Sequence, residues 1–170
     1  MTTPLYKHYF QGLFQMGYVT NDIEQAIERF SSQYGVNRFL TLPEPISGDV
    51  YSDGKPVTNV LRLAFANVNN NQIELIQPID DGSRRYSEVL TGAGFELVFH
   101  HVACRLYSEG EWQSFRRSLD ETRHPIAIEN ISGPTSYVYL DERKTLGHYV
   151  EYMWLDPEGE AMFAAIPDNG

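Results

Sequence analysis

An amphipathic helix pattern occurs once in each half of this chain, each time after one β-rich run and before three more. That repeated order limits the possible folds more than any single motif does. In the first half, residues 13–20 (LFQMGYVT) are β-rich, and Asn21-Asp22 offers an N-cap. Ile23, Ala26, Ile27 and Phe30 then recur at helical spacing, and Gly35 is placed to end the helix. Strands are predicted over 37–42, 60–68 and 72–77, with a polar turn at Asn69-Asn70-Asn71 and a stop at Pro78. In the second half, a strand over 96–106 precedes a helix capped by Ser108 and Glu111 and carried through Trp112, Phe115 and Leu119. Strands over 124–130, 135–140 and 147–154 follow.

The order βαβββ is thus written twice, with little residue identity between the halves. It predicts an α+β fold of two βαβββ modules whose curved mixed sheets surround a metal-site cavity. The expected division is a first module over 13–78, a connector over 79–94 with a short helix at 86–90, a second module over 95–155 and a tail over 156–170, together one domain. Residues 1–11 show no period and are expected to form a loose or docked tail. Residues 43–59 hold three prolines, two glycines and two aspartates and read as a long irregular loop that serves as a lid. Residues 156–159 read as a turn, and the apolar run 162–166 is expected to pack back on the body.

A chain of 170 residues fits one domain with a sizeable core. Its net charge of -10 excludes nucleic acid and anionic membrane surfaces as expected partners, because both demand clustered Lys and Arg. No apolar run spans a bilayer and the start lacks an apolar signal core, so a cytoplasmic protein is expected. The single cysteine, Cys104, excludes an intramolecular disulfide and reads as a buried filler.

Four polar residues interrupt otherwise apolar strands. Gln15 and Glu74 lie on the first and last strands of module one, and His101 and Glu151 on the first and last strands of module two. A mid-strand glutamate is costly to bury unless it is paired or bound to a cation. Taken singly, each residue also fits an ordinary strand position. The equivalent placement in both modules points to one shared centre. A histidine, two carboxylates and an amide oxygen make a borderline-to-hard ligand set suited to Zn, Ni, Co, Mn or Fe(II). Strand alternation puts Phe99, His101, Ala103 and Arg105 on one face and turns His100 and Cys104 to the other, outward in the case of His100.

The segments FQMGYVTNDIEQAIERF, NNQIELIQP, FHHVACRL and GHYVEYMW resemble those of the vicinal oxygen chelate superfamily, the glyoxalase, bleomycin-resistance and extradiol-dioxygenase group. The similarity covers about residues 13–155 and is closest to the glyoxalase-like branch that includes methylmalonyl-CoA epimerase. It implies a divalent metal held by Gln15, Glu74, His101 and Glu151, and a small-molecule carbonyl substrate bound through two vicinal oxygens. The implied chemistry is that of an isomerase or lyase, a proton moving next to a carbonyl through an enolate or enediolate. Glu151 is the first candidate base and Glu74 the second. Phe99, Arg62, Tyr137, Tyr139, Tyr149 and Met153 are candidates for the substrate pocket, and a homodimer is expected. The second acidic base of the epimerases has only Asp49 and Asp53 as counterparts, and no arginine stands in a motif that would hold glutathione. The group also contains metal-free ligand-binding proteins and Fe(II) dioxygenases, which are the alternative functions.

Overall fold

The computed structural model describes residues 11–170. Nine strands and three α-helices follow one another as β1 (Leu13–Thr20), α1 (Ile23–Tyr34), β2 (Leu40–Thr41), β3 (Ile46–Ser52), β4 (Lys55–Val68), β5 (Asn71–Asp81), β6 (Leu97–Arg105), α2 (Glu109–Ser118), β7 (Ile126–Asn130), β8 (Thr135–Asp141), β9 (Tyr149–Leu155) and α3 (Pro157–Ala164). Among the described residues no helix is long and apolar enough to cross a membrane. The expected tail at 1–11 lies almost wholly outside the described residues.

The strand pairings carry the internal repeat. In the first half β1 runs parallel to β5, and β4 and β3 add to it antiparallel. In the second half β6 runs parallel to β9, followed by β8 and β7 in the same manner. The halves join at two antiparallel seams, β1 with β6 and β3 with β7, and the mixed sheet closes into a barrel-like ring. The seams are unequal. β1 and β6 pair from Leu13 to Thr20, whereas β3 and β7 meet only at Tyr51–Glu129 and Ser52–Ile128.

Helices α1 and α2 form where the sequence predicts them. Asp22 caps α1 by accepting from the Gln25 amide, Gly35 ends it in the left-handed conformation, and Ser108 caps α2 through the Glu111 amide. Each of these two helices covers the outer face of its own half. Ile23, Ala26 and Phe30 of α1 pack on Ala64, Ala66, Ile73 and Leu75. Trp112 and Phe115 of α2 pack on Val102, Cys104, Val138 and Tyr152, which places Cys104 in this outer core.

Several expectations are corrected. Residues 43–59 are not an irregular lid. Most of them form the hairpin of β3 and β4, turned at Asp53-Gly54, whose φ angles of 49° and 73° suit a two-residue type I′ turn. β3 is hydrogen-bonded on both sides, so it is part of the wall and not a flap over it. The strand expected over 37–42 shrinks to Leu40–Thr41. Pro78 does not stop β5, because a bulge between Leu61–Pro78 and Val60–Asp80 carries the strand past the missing amide hydrogen. The turn expected at 156–159 is the start of α3, where Asp156 accepts from the Glu158 and Gly159 amides and Pro157 occupies the first turn. The apolar tail does pack back, with Ile166 buried and Asn169 bonded to Asn67 and Arg38. The connector carries a single 3-10 turn at Ser87–Val89.

Phe115 is 1 % exposed and stacks on Tyr152 at 4.5 Å between ring centroids. Phe115→Ala therefore leaves a cavity between α2 and the sheet and is expected to cost about 3–5 kcal/mol. Urea unfolding of the two proteins measures it.

Candidate metal centre

The sheet register places the polar residues before any side chain is considered. Glu74 on β5, Gly17 on β1 and His101 on β6 are Cα partners across three adjacent strands. Gln15 on β1, Ala103 on β6 and Glu151 on β9 form the next row. Each half thus carries one polar residue on its first strand, a small residue two positions later, and a glutamate opposite that small residue. The small residues leave space between the polar ones. At Gly17 this is absolute, since a Cβ there would lie 1.8 Å from Cε1 of the His101 ring.

Gln15, Glu74, His101 and Glu151 are all buried. His101 Nε2 stands 3.2 Å from a Glu74 carboxylate oxygen and 3.3 Å from one of Glu151. One donor atom from each of the three lies within 4.8 Å of the others. Burial works against a charge on His101, but the hydrogen bonds to Glu151 and Glu74 outweigh it and lift the imidazole to about 9. Burial raises the Glu151 carboxyl above its ordinary range.

Gln15 supplies an independent test of whether the residues fit a cation. Its Nε2 donates to Gln72 Oε1 at 2.6 Å, and Gln72 in turn donates to Asn67 Oδ1. That bond fixes which end of the amide is which. Gln15 Oε1 is left buried with no hydrogen-bond partner among the described residues, lining the same cavity as Glu74 and Glu151. An orphaned buried acceptor is costly, and a cation satisfies it. Two buried carboxylates opposite one imidazolium also leave a net negative charge, which a divalent ion with neutral His101 removes. The donor set fits a divalent metal held by Gln15, Glu74, His101 and Glu151.

His100 is not turned outward. The register passes from Gly17–His101 to Tyr18–Phe99, so His100 is the extra residue of a β-bulge and is buried. Its Nε2 donates to the Arg85 carbonyl at 3.0 Å. Burial, then the neighbouring His101, push it down to about 3, so it stays neutral with Nδ1 bare. That Nδ1 accepts from His101 Nδ1 at 3.0 Å. The Arg85 carbonyl therefore sets the tautomer of both rings and aims His101 Nε2 at the two carboxylates.

The same bulge decides the pocket. Phe99, expected beside His101, is shifted to the outer face, 41 % exposed and edge-on to Tyr18 and His148. Arg62 alternates with the inward Leu61 and Leu63, points away, and pairs with Glu24 of α1. Tyr149 is buried with Val19 and Tyr86 and donates to Glu88, without lining the cavity. Tyr137, Tyr139 and Met153 do line it. The cavity measures about 390 Å³. Its further walls are Leu61, Leu63 and Phe65 of β4, Tyr86 of the connector and Phe163 of α3, none of them foreseen. Only the alternation of Asn59, Leu61, Leu63 and Phe65 could have disclosed the β4 wall. Tyr139 places its hydroxyl 3.5 Å from His101 Nε2, and burial holds its phenol well above the ordinary range, so it remains a donor.

Two outcomes test this geometry. Gly17→Ala drives a methyl into the His101 ring and is expected to destabilise the fold by about 1–3 kcal/mol and to weaken metal binding at the same time. Calorimetric titration with Zn, beside thermal unfolding, reads both. The pH dependence has a definite sign. His101 titrates near 9, so at neutral pH a metal must displace its Nε2 proton. Affinity should rise about tenfold per pH unit toward 9 and level off above it. Titrations in buffers of different ionisation enthalpy count the released proton.

The comparisons agree with this architecture. The model of the Glyoxalase/Bleomycin resistance protein/Dioxygenase superfamily matches residues 14–112. A variant of Streptomyces coelicolor methylmalonyl-CoA epimerase, in complex with 2-nitronate-propionyl-CoA, is similar in fold, with a TM-score of 0.56 at 15% identity over 86% of this chain and 95% of that one. The Mycobacterium tuberculosis methylmalonyl-CoA epimerase gives a TM-score of 0.50 at 16% identity over 88% and 91%. A hypothetical protein of Bacillus halodurans gives 0.54 at 18% identity over 85% and 94%. No curated protein matches the sequence. The family match covers more than half of the chain, from β1 into α2, and the chain belongs to the glyoxalase/bleomycin resistance protein/dioxygenase superfamily.

Proposed function

We propose that this protein is a metal-dependent isomerase or lyase that moves a proton on the carbon next to a carbonyl group. The observation that carries the proposal is the convergence of the Glu74–His101–Glu151 cluster and the orphaned Gln15 oxygen on one cavity. A divalent ion held there by Gln15, Glu74, His101 and Glu151 would supply Lewis acidity toward the substrate's oxygens.

The remaining work falls to the chain. Glu151 is buried with its carboxyl raised, a stronger base than a solvated carboxylate and thus suited to take a proton from carbon. Glu74, across His101, is the second candidate for that base. The Tyr139 hydroxyl, beside both His101 and the cavity, can donate to the oxygen on which negative charge develops. The apolar walls exclude water, which lengthens the reach of these charges and protects the carbanionic species from stray protonation.

Glu151→Gln keeps the size and a ligand oxygen but removes the base. The expected result is a variant that retains metal while its turnover falls by ~10²–10⁴-fold. Elemental analysis gives the metal content, and solvent deuterium entering the substrate's α-carbon reports the proton transfer. A wild-type protein with metal and a carbonyl ligand bound but no exchange would instead be a ligand-binding member of the superfamily.

A further inference from the structure

The walls of the cavity go beyond the reaction class and speak to the substrate. Leu40, Leu42, Ile46, Leu61, Leu63 and Phe65 form one side, and Met162 and Phe163 of α3 close the other with Ile166 just beyond the helix. Among the described residues lining the cavity there is no lysine and no arginine. The charged groups there are Glu74, Glu151 and the exposed Asp49, whose carboxylate accepts from Thr58.

Arginines that could have reached a substrate anion are engaged elsewhere. Arg62 pairs with Glu24 on the outer side of β4. Arg38 donates to the Asp168 carbonyl, Arg105 pairs with Glu160, and Arg85 pairs with Asp53 and Glu88. The chain as a whole carries a net charge of -10, which disfavours the approach of polyanions. Inside, the two carboxylates would balance a divalent ion, so a substrate carboxylate or phosphate would enter a low-dielectric site without a counter-charge among the described residues. A neutral substrate meets no such penalty. At about 390 Å³ the space lies at the small end of the range for compact organic ligands. A coenzyme A thioester would have to leave its phosphorylated portion outside this space.

We infer that the substrate is an uncharged, mainly apolar compound with two vicinal oxygens, an α-hydroxyketone or 1,2-dicarbonyl bearing an aromatic or branched hydrocarbon group. It is not a coenzyme A thioester or a glutathione adduct. This inference rests on the proposed proton transfer only for the vicinal oxygens; the apolar, uncharged character comes from the walls.

The test is calorimetric titration of the full-length protein, metal-loaded and metal-free, with 2-hydroxyacetophenone, 1-phenyl-1,2-propanedione, methylmalonyl-CoA and the glutathione hemithioacetal of methylglyoxal. The metal-loaded protein should bind the two phenyl compounds at least ~10-fold more tightly than either anion, given the apolar area they bury. Met162→Lys puts a cation into the apolar wall from a half-exposed position on α3, where folding tolerates it. It should weaken the phenyl compounds by ~5–10-fold and narrow or reverse the preference.

Equal or tighter binding of methylmalonyl-CoA or the glutathione adduct by wild-type protein overturns the inference, as does the absence of measurable binding by both phenyl compounds. Unchanged phenyl binding in a folded Met162→Lys protein also overturns it. Deuterium exchange is read separately on whichever compound binds. Phenyl compounds that bind without exchange sink the proton transfer but keep the substrate class. Exchange in a bound thioester does the reverse.

Discussion

Two carboxylates kept out of water within ion-pair reach of one imidazole form the interaction to which the rest of this structure answers. Buried charge of that kind persists only with compensation, and the chain supplies it in layers. His101 bridges Glu74 and Glu151, His100 holds the His101 tautomer, and the Arg85 carbonyl holds His100. On the other side Asn67 holds Gln72, and Gln72 turns the Gln15 oxygen inward. Both supports begin in backbone or side-chain amides of the surrounding shell, so the orientation of the cluster is fixed before any ligand arrives.

The repeat explains how a short chain can meet so many conditions at once. A polar residue on a first strand, a small residue two places on and a glutamate on the parallel last strand make half a site. The β1–β6 seam joins two such halves back to back. Each half needs only the period of a strand to aim its residues. The words differ, Gln-Met-Gly in one half and His-Val-Ala in the other, because what repeats is geometry and volume.

This division also accounts for what could be read in the sequence. Glu74 and Glu151 stood out because a carboxylate in the middle of an apolar strand contradicts its surroundings, and the two helices were legible from their caps and period. The failures share one physical origin, in the places where strand alternation is broken or carries no contrast. The bulge at His100 reverses the faces before it, whereas unbroken alternation puts Phe99 inward and His100 outward. Between 43 and 59 the prolines, glycines and aspartates masked two good strands, although Asp53-Gly54 is itself a hairpin turn. Phe163 reaches the cavity through tertiary packing of α3, for which no local pattern exists.

The inequality of the two seams gives the ring a hinge and a clasp. Along β1 and β6 the halves are bonded over the length of both strands, and the polar cluster lies on that side. Across the ring, β3 and β7 meet at the Tyr51–Glu129 and Ser52–Ile128 positions, with the Ser52 hydroxyl on the Ala127 carbonyl as an added tie. Local opening follows the path that breaks fewest bonds. The β3–β7 seam is thus the weaker of the two joins, and the carboxylates and the imidazole are built on the stronger one.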